Sequence, residues 1–456
     1  MEQKDGVTRI VARFAAGLRY EDIPREVIEK TKECILDQIG VEMIGSTLEW
    51  NNIAYRYVLG MGGRAESTIV NYGTKAPALD TAFVNATFGQ GCELDDVGFG
   101  SGGHPSAATV PVALALCETR PVSGKEIIAS VVAGWDVMYR MLFAVRPSAN
   151  RRGFHSHGIA GPFGAVVAAA RLLQLSAEET VNAFGIACSH AAGSTEYDLT
   201  GGEVKRIHAG LAARAGIQSA LLAKLGLTGP PTIIEGKRGF CSVFADQYNT
   251  AVITENLGTD FKIMNVWFKV FPCVSTVQSV IDALKRFIEE HHVRTEQIDE
   301  IQVGLSETAA MHGGAIYEPK DVASAQFSLP FSVALRFLKK DNDLSLYMDQ
   351  NLWNDPTLLA LAKKVKTYAN PEAKGDKSYS ARVEIKLVDR RVFHTDQDFP
   401  RGCPLNPITR DEIQIKFQKL AGRVLTTSRI AEIIETVDQL EKLDDVSKLV
   451  PLLVKQ

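Results

Sequence analysis

The chain has 456 residues, 45% of them hydrophobic and 23% charged, and 50 Lys and Arg against 54 Asp and Glu leave a formal charge of −4. That apolar content supports a sizeable core and excludes a disordered tail protein. The near-balanced charge excludes a nucleic-acid binder that works through a basic stripe, and at about 150 residues per domain the length fits two large domains or three smaller ones. The opening MEQKDG has neither an apolar core segment nor an Arg/Ser-rich presequence. The most apolar runs, such as Gly158 to Ala170, end at His157 and Arg171 and are too short to span a bilayer, so the expected address is the cytoplasm. The cysteines at 34, 92, 117, 188, 241, 273 and 403 form no C-x-x-C pair and no disulfide or metal spacing. They read as small buried hydrophobes in a reducing compartment.

The first half reads as helix after helix. Asp22 is placed to cap a helix with Pro24 in its first turn, continuing through Val27, Ile28, Ile35, Leu36 and Ile39. Residues 106–117, 161–175 and 207–225 are apolar almost all round, the mark of helices buried among other helices. The character changes near residue 265. Val277, Val280, Ile281, Leu284, Phe287 and Ile288 make a helical stripe opposite Lys285, Arg286, Glu289 and Glu290. Residues 298–305 and 379–388 then alternate like strands, and Asp389-Arg390 connects the latter to a hairpin partner at 391–394. Thr409 opens a helix through Glu412, Phe417 and Leu420, with another near 430–440. The expectation is a mainly α chain: an all-helical domain from residues 1–265 plus 396–456, and an α+β lid domain from 266–395.

Four clusters carry candidate chemistry. Glu93-Leu94-Asp95-Asp96 sets three acids before a glycine-rich loop and His104-Pro105, although Asp and Gly are also ordinary helix-start residues. His155 and His157 stand just ahead of an apolar helix, where the positive end of the helix dipole disfavours imidazolium. A neutral His there can take or give a proton. Two His at i, i+2 also suggest a metal, but no third ligand of recognised spacing accompanies them. Lys205, Arg206 and His208 open the apolar 207–225 segment and suit a carboxylate, unless they are a solvated helix start. Lys269 lies among aromatics in Trp267-Phe268-Lys269-Val270-Phe271, either snorkelling to water or held toward a ligand. Gly60–Gly63 and Gly100–Gly103 open no convincing βαβ unit and read as turns.

Taken in order, the stretches ELDD…HPSAATVPVALAL, GFHSHGIAGPFGAVVAAARLLQL, VKRIHAGLAARAGIQSALLAKLGLTGP, FKVFPC, AQFSLPFSVAL and RGCPLNPITRDEI resemble the MmgE/PrpD family. This family includes 2-methylcitrate dehydratase, cis-aconitate decarboxylase and iminodisuccinate epimerase. The resemblance implies a helical domain with an inserted α+β domain, a homodimer, no cofactor and a small di- or tricarboxylate substrate; the missing third ligand leaves no metal expected. Carried over position by position, it implies catalytic roles for Asp95, His104, His155, Lys205 and Lys269; together with the cationic helix start, the expected substrate contacts are Lys205, Arg206, His208 and Lys269. The shared chemistry is proton transfer at a carbon next to a carboxylate, with cations where negative charge develops and a neutral His or a carboxylate moving the proton.

This chain departs from the family's usual residues. Gln90 stands where a His is expected and Glu93 where an Asp is, the loop before His104 is unusually small, Met138 replaces a frequent Gln, and Phe331 replaces a frequent Tyr. A dehydratase-like lyase leads narrowly on the family pattern. An epimerase follows because of these departures, then a cis-aconitate-type decarboxylase. A catalytically silent carboxylate binder is the rival from another class.

Overall fold

The computed structural model describes residues 6–311 and 316–455, apart from the side chains of Thr308 and Met311. These residues form two compact units. One holds those within Met1–Ser194, Lys205–Val266 and Thr409–Gln456; the other holds those within Thr195–Val204 and Trp267–Ile408. The sequence reading placed its changes at 266 and 395. Residue 395 falls inside the strand Val392–Gln397, and the second unit continues to Ile408.

The first unit is built almost wholly of helices. Ser156–Leu172 is its centre, packed against His208–Lys224, Gly124–Val145 and Pro105–Cys117. Small residues permit this closeness. A Cβ on Gly216 would lie 2.4 Å from the Ala165 methyl, and one on Gly134 would lie 2.7 Å from the Gly164 carbonyl oxygen. The buried, all-round apolar helices expected from composition are present, with Pro105 in the first turn of Pro105–Cys117 where no N–H is needed. Gly124–Val145 is long and apolar enough by composition to cross a membrane, a length the sequence reading did not assign. It is 94% buried inside the protein over its most apolar window, which fits a core helix.

One expected start is displaced. The helix begins at Arg25 with Pro24 as its cap residue, while Asp22 sits in the short turn Tyr20–Asp22. Its carboxylate is occupied by the Arg19 guanidinium at 2.7 Å and so is not available to cap the helix. Thr409 does cap Arg410–Ala421, reciprocally with Glu412. That helix returns to pack along Arg25–Gly45.

The second unit carries a four-stranded sheet. Ile298–Leu305 pairs in parallel with Val365–Ala369, one edge strand, and antiparallel with Ala381–Leu387, which pairs in turn with the other edge strand, Val392–Gln397. Ala381, Val383, Ile385 and Leu387 are all buried, as their alternation requires. Ser275–His291 packs on this sheet through its apolar stripe. The Val365–Ala369 strand was not foreseen, because VKTYA is too short and too polar to read as a buried parallel strand. All seven cysteines are free thiols, six of them buried.

Glu42 is fully buried in the first unit, and burial pushes its carboxyl up to about 8 from 4.5, against a lowering hydrogen bond from Gln38. The folded state therefore holds a proton that the unfolded chain releases above pH 4.5, so this group's contribution to stability falls as pH rises toward 8. Glu42→Gln should remove that slope of about 1.4 kcal/mol per pH unit. Denaturant unfolding from pH 4 to pH 8 should show the variant gaining on the wild type as pH rises, and parallel curves would contradict this.

Candidate active site

The histidines converge through backbone placement. His104 is the cap residue of Pro105–Cys117, His155 caps Ser156–Leu172 with His157 in its first turn, and His208 opens His208–Lys224. Three helix starts in the first unit thus bring four imidazoles together. Ring centroids are 5.8 Å apart for His104 and His157, 6.4 Å for His104 and His155, 6.3 Å for His155 and His157, and 4.8 Å for His155 and His208. All four residues are buried.

Each ring has a distinct electrostatic setting. His104 Nδ1 lies 2.8 Å from the Asp96 carbonyl oxygen and 2.9 Å from Asp95 Oδ2. A carbonyl can only accept, so Nδ1 carries the hydrogen and Nε2 is the nitrogen left to exchange a proton. Asp95 sets its carboxylate against that edge of the ring. His155 and His208 face each other through their Nδ1 atoms at 2.7 Å, so one donates and the other accepts. His208 is pushed down to about 4, first by burial and then by the Lys205 charge. His155 and His157 are held well below the ordinary imidazole range, mainly by burial, with further lowering from neighbouring rings and Lys205. The helix-end argument gave the right direction, but desolvation is the larger cause. His157 has no hydrogen-bond partner at either nitrogen among the described residues.

The acidic segment is built around these rings. Lys205 Nζ, buried, bonds the buried Glu93 carboxylate. Asp96 accepts from Ser106 Oγ, from the Ser106 N–H at 3.3 Å and from Trp135 Nε1 at 3.3 Å, while burial pushes its carboxyl up to about 7. The small loop has a steric reason. Gly103 has φ +72°, and a Cβ there would lie 2.4 Å from Leu142 Cδ1. Tyr139 Oη donates to the Phe99 carbonyl at 2.8 Å and fixes the loop's start. Gln90 Oε1 accepts the Ala209 N–H at 3.0 Å, tying the end of Ala78–Gln90 to the start of the His208 helix.

Of the residues singled out in the sequence, Asp95, His104, His155, His157, Lys205 and His208 belong to this cluster. Arg206 is adjacent in sequence but is turned to protein groups. Its guanidinium donates to the Gly91 carbonyl and lies 4.5 Å over the Trp50 ring. Lys269 belongs to the second unit and is buried there; the cluster described here is drawn wholly from the first. Glu93, Ser106 and Trp135 acquire roles that the sequence reading had not given them. The spacing of Ser106 two residues after His104 was an available signal, whereas Trp135 had none. No group of three or more His, Cys, Asp and Glu among the described residues is arranged to hold a metal.

This geometry gathers imidazoles, carboxylates and a buried cation on a helical scaffold, and comparison with known proteins identifies the family. Residues 9–252 match the MmgE/PrpD N-terminal domain and residues 271–442 the MmgE/PrpD C-terminal domain, so the chain belongs to the MmgE/PrpD family. Its relatives include the cis-aconitate decarboxylase of Aspergillus terreus, 27% identical over 476 residues that cover 99% of this chain and 96% of the relative. The cis-aconitate decarboxylase-like protein oryM of Aspergillus oryzae is 27% identical over 471 residues, covering 98% and 97%. The Homo sapiens cis-aconitate decarboxylase is 26% identical over 461 residues, covering 98% and 94%.

The assigned imidazole states are directly measurable. In protein with isotope-labelled histidine, the ring signals of His155, His157 and His208 should stay neutral from pH 8 down to pH 5.5, with His208 charging only near pH 4. A midpoint near 6.5 for any of the three would contradict the buried arrangement.

Proposed function

We propose that this protein is a cofactor-independent lyase that moves a proton at the carbon next to a carboxylate of a small di- or tricarboxylate. The observation that carries the reading is the His104–Asp95 pair within the same buried cluster as the Lys205–Glu93 pair. Among the family's reactions, the relatives favour decarboxylation of an unsaturated tricarboxylate such as cis-aconitate. Dehydration of a 2-methylcitrate-like hydroxy acid is the next reading, followed by epimerisation.

In a decarboxylation the bond to the departing carboxylate breaks, and its electron pair shifts through the neighbouring double bond as CO2 leaves. The pair arrives at a carbon bearing another carboxylate, where it is delocalised as an enolate before protonation. His104 suits the proton donor: its Nδ1 is fixed by Asp95 and the Asp96 carbonyl, leaving Nε2 to deliver the proton. Lys205 suits the enolate charge. Its bond to Glu93 holds the cation in a dry setting, where such a charge acts most strongly. His155 and His208, kept neutral, offer hydrogen bonds without adding repulsion between cations.

The reading is tested by incubating the protein with cis-aconitate, 2-methylcitrate and related acids in D2O. Release of CO2 with one deuterium at the carbon next to a carboxylate is expected. If no acid loses CO2, eliminates water or exchanges hydrogen, the proposal fails. Lys205→Met should lower kcat/KM by about 100-fold or more, the scale of removing one preorganised charge donor. Unchanged kinetics would remove Lys205 from the mechanism.

A further inference from the structure

Building on the proposed reaction, the geometry points to Lys416 as a positioning residue that locks the acidic segment 93–96 into its working conformation, and we propose this role for it. Lys416 lies on Arg410–Ala421, far from the cluster in sequence. Its ammonium donates to the Leu94 carbonyl at 2.8 Å and pairs with Asp37 Oδ1 at 2.7 Å. Leu94 is the residue between Glu93, which bonds Lys205, and Asp95, which faces His104. One side chain therefore holds the backbone between the two acids that the site uses in opposite directions.

That backbone needs holding. Glu93 has φ +59°, a left-handed conformation that a non-glycine residue adopts at a cost. Such a conformation persists only where the surroundings over-determine it. Two contacts do so here, the Lys205 bond to the Glu93 side chain and the Lys416 bond to the next carbonyl. A released segment would adopt more ordinary angles, swinging Glu93 away from Lys205 and Asp95 away from His104.

The charges around Lys416 support the same role. Asp37 faces it from Arg25–Gly45 and Cys92 from the loop, and Asp95 and Asp96 lie close enough to act on Asp37 and Cys92 or on one another. Asp37 and Asp96 are both pushed up, chiefly by burial and further by neighbouring acids, while Lys416 acts in the opposite direction on Asp37. Loss of the cation should therefore move the acidic limb of the kcat/KM profile to higher pH.

The test compares wild type with Lys416→Met, Lys416→Arg and the double variant Asp37→Asn/Lys416→Met. The double variant leaves no unpaired buried charge, so it remains informative if the single Met variant does not fold. Amide hydrogen exchange at residues 93–98 should accelerate in the Met variants and be restored in the Arg variant, with exchange in Ser156–Leu172 unchanged. With whichever acid the wild type turns over, kcat should fall by about 100-fold while KM changes little, the scale expected for a misplaced catalytic group. Wild-type exchange rates at 93–98 in the double variant, or kcat and a pH profile within about twofold of wild type, would overturn the proposal. A wild type inactive on every acid would defeat the functional reading alone, because the exchange comparison still decides what Lys416 does.

Discussion

Lys205 and Glu93 are both buried and bonded to each other across 112 residues of chain. An ammonium in such a place is tolerated only with a counter-charge, and removing one partner of a buried pair costs about 3–5 kcal/mol. The fold must therefore bring the end of the Ala78–Gln90 segment and the start of His208–Lys224 to one point. Much of the first unit can be understood as the scaffolding for that meeting. Gln90 caps the second of these helices through Ala209, and Arg206 clasps the Gly91 carbonyl. Both join the same two segments.

Once the cation is placed, the imidazoles around it are constrained. Charging His155, His157 or His208 would put a second positive charge beside Lys205 in a water-poor region. These rings stay neutral and act by hydrogen bonding. His104 differs because Asp95 lies 2.9 Å from its Nδ1. The division of labour follows from where the charges sit: a carboxylate fixes the orientation of one ring, and a lysine beside the others keeps them neutral.

The sequence made the helical scaffold legible because the relevant helices are apolar on every side and rich in Ala and Gly, which only burial among other helices explains. His104, His155, His157, Lys205 and His208 were visible because each stands at or beside the start of such a helix, and Asp95 because it sits in a run of acids. What it hid were contacts with no local signature. Lys416 reaches Leu94 across 322 residues, and Trp135 reaches Asp96 across 39. Neighbours in sequence also part in space: Lys205 bonds a carboxylate, whereas Arg206 beside it reaches a backbone carbonyl and an indole. Asp22 was misassigned because Arg19, three residues earlier, takes its carboxylate.

The account stands on the claim that a carboxylate-bearing molecule enters this imidazole cluster. The most direct measurement adds an unreactive tricarboxylate, propane-1,2,3-tricarboxylate, to protein with labelled histidine and follows all nine imidazoles. The account predicts saturable shifts at His104, His155, His157 and His208, absent in Lys205→Met. Saturable binding that leaves those four rings unmoved would contradict it.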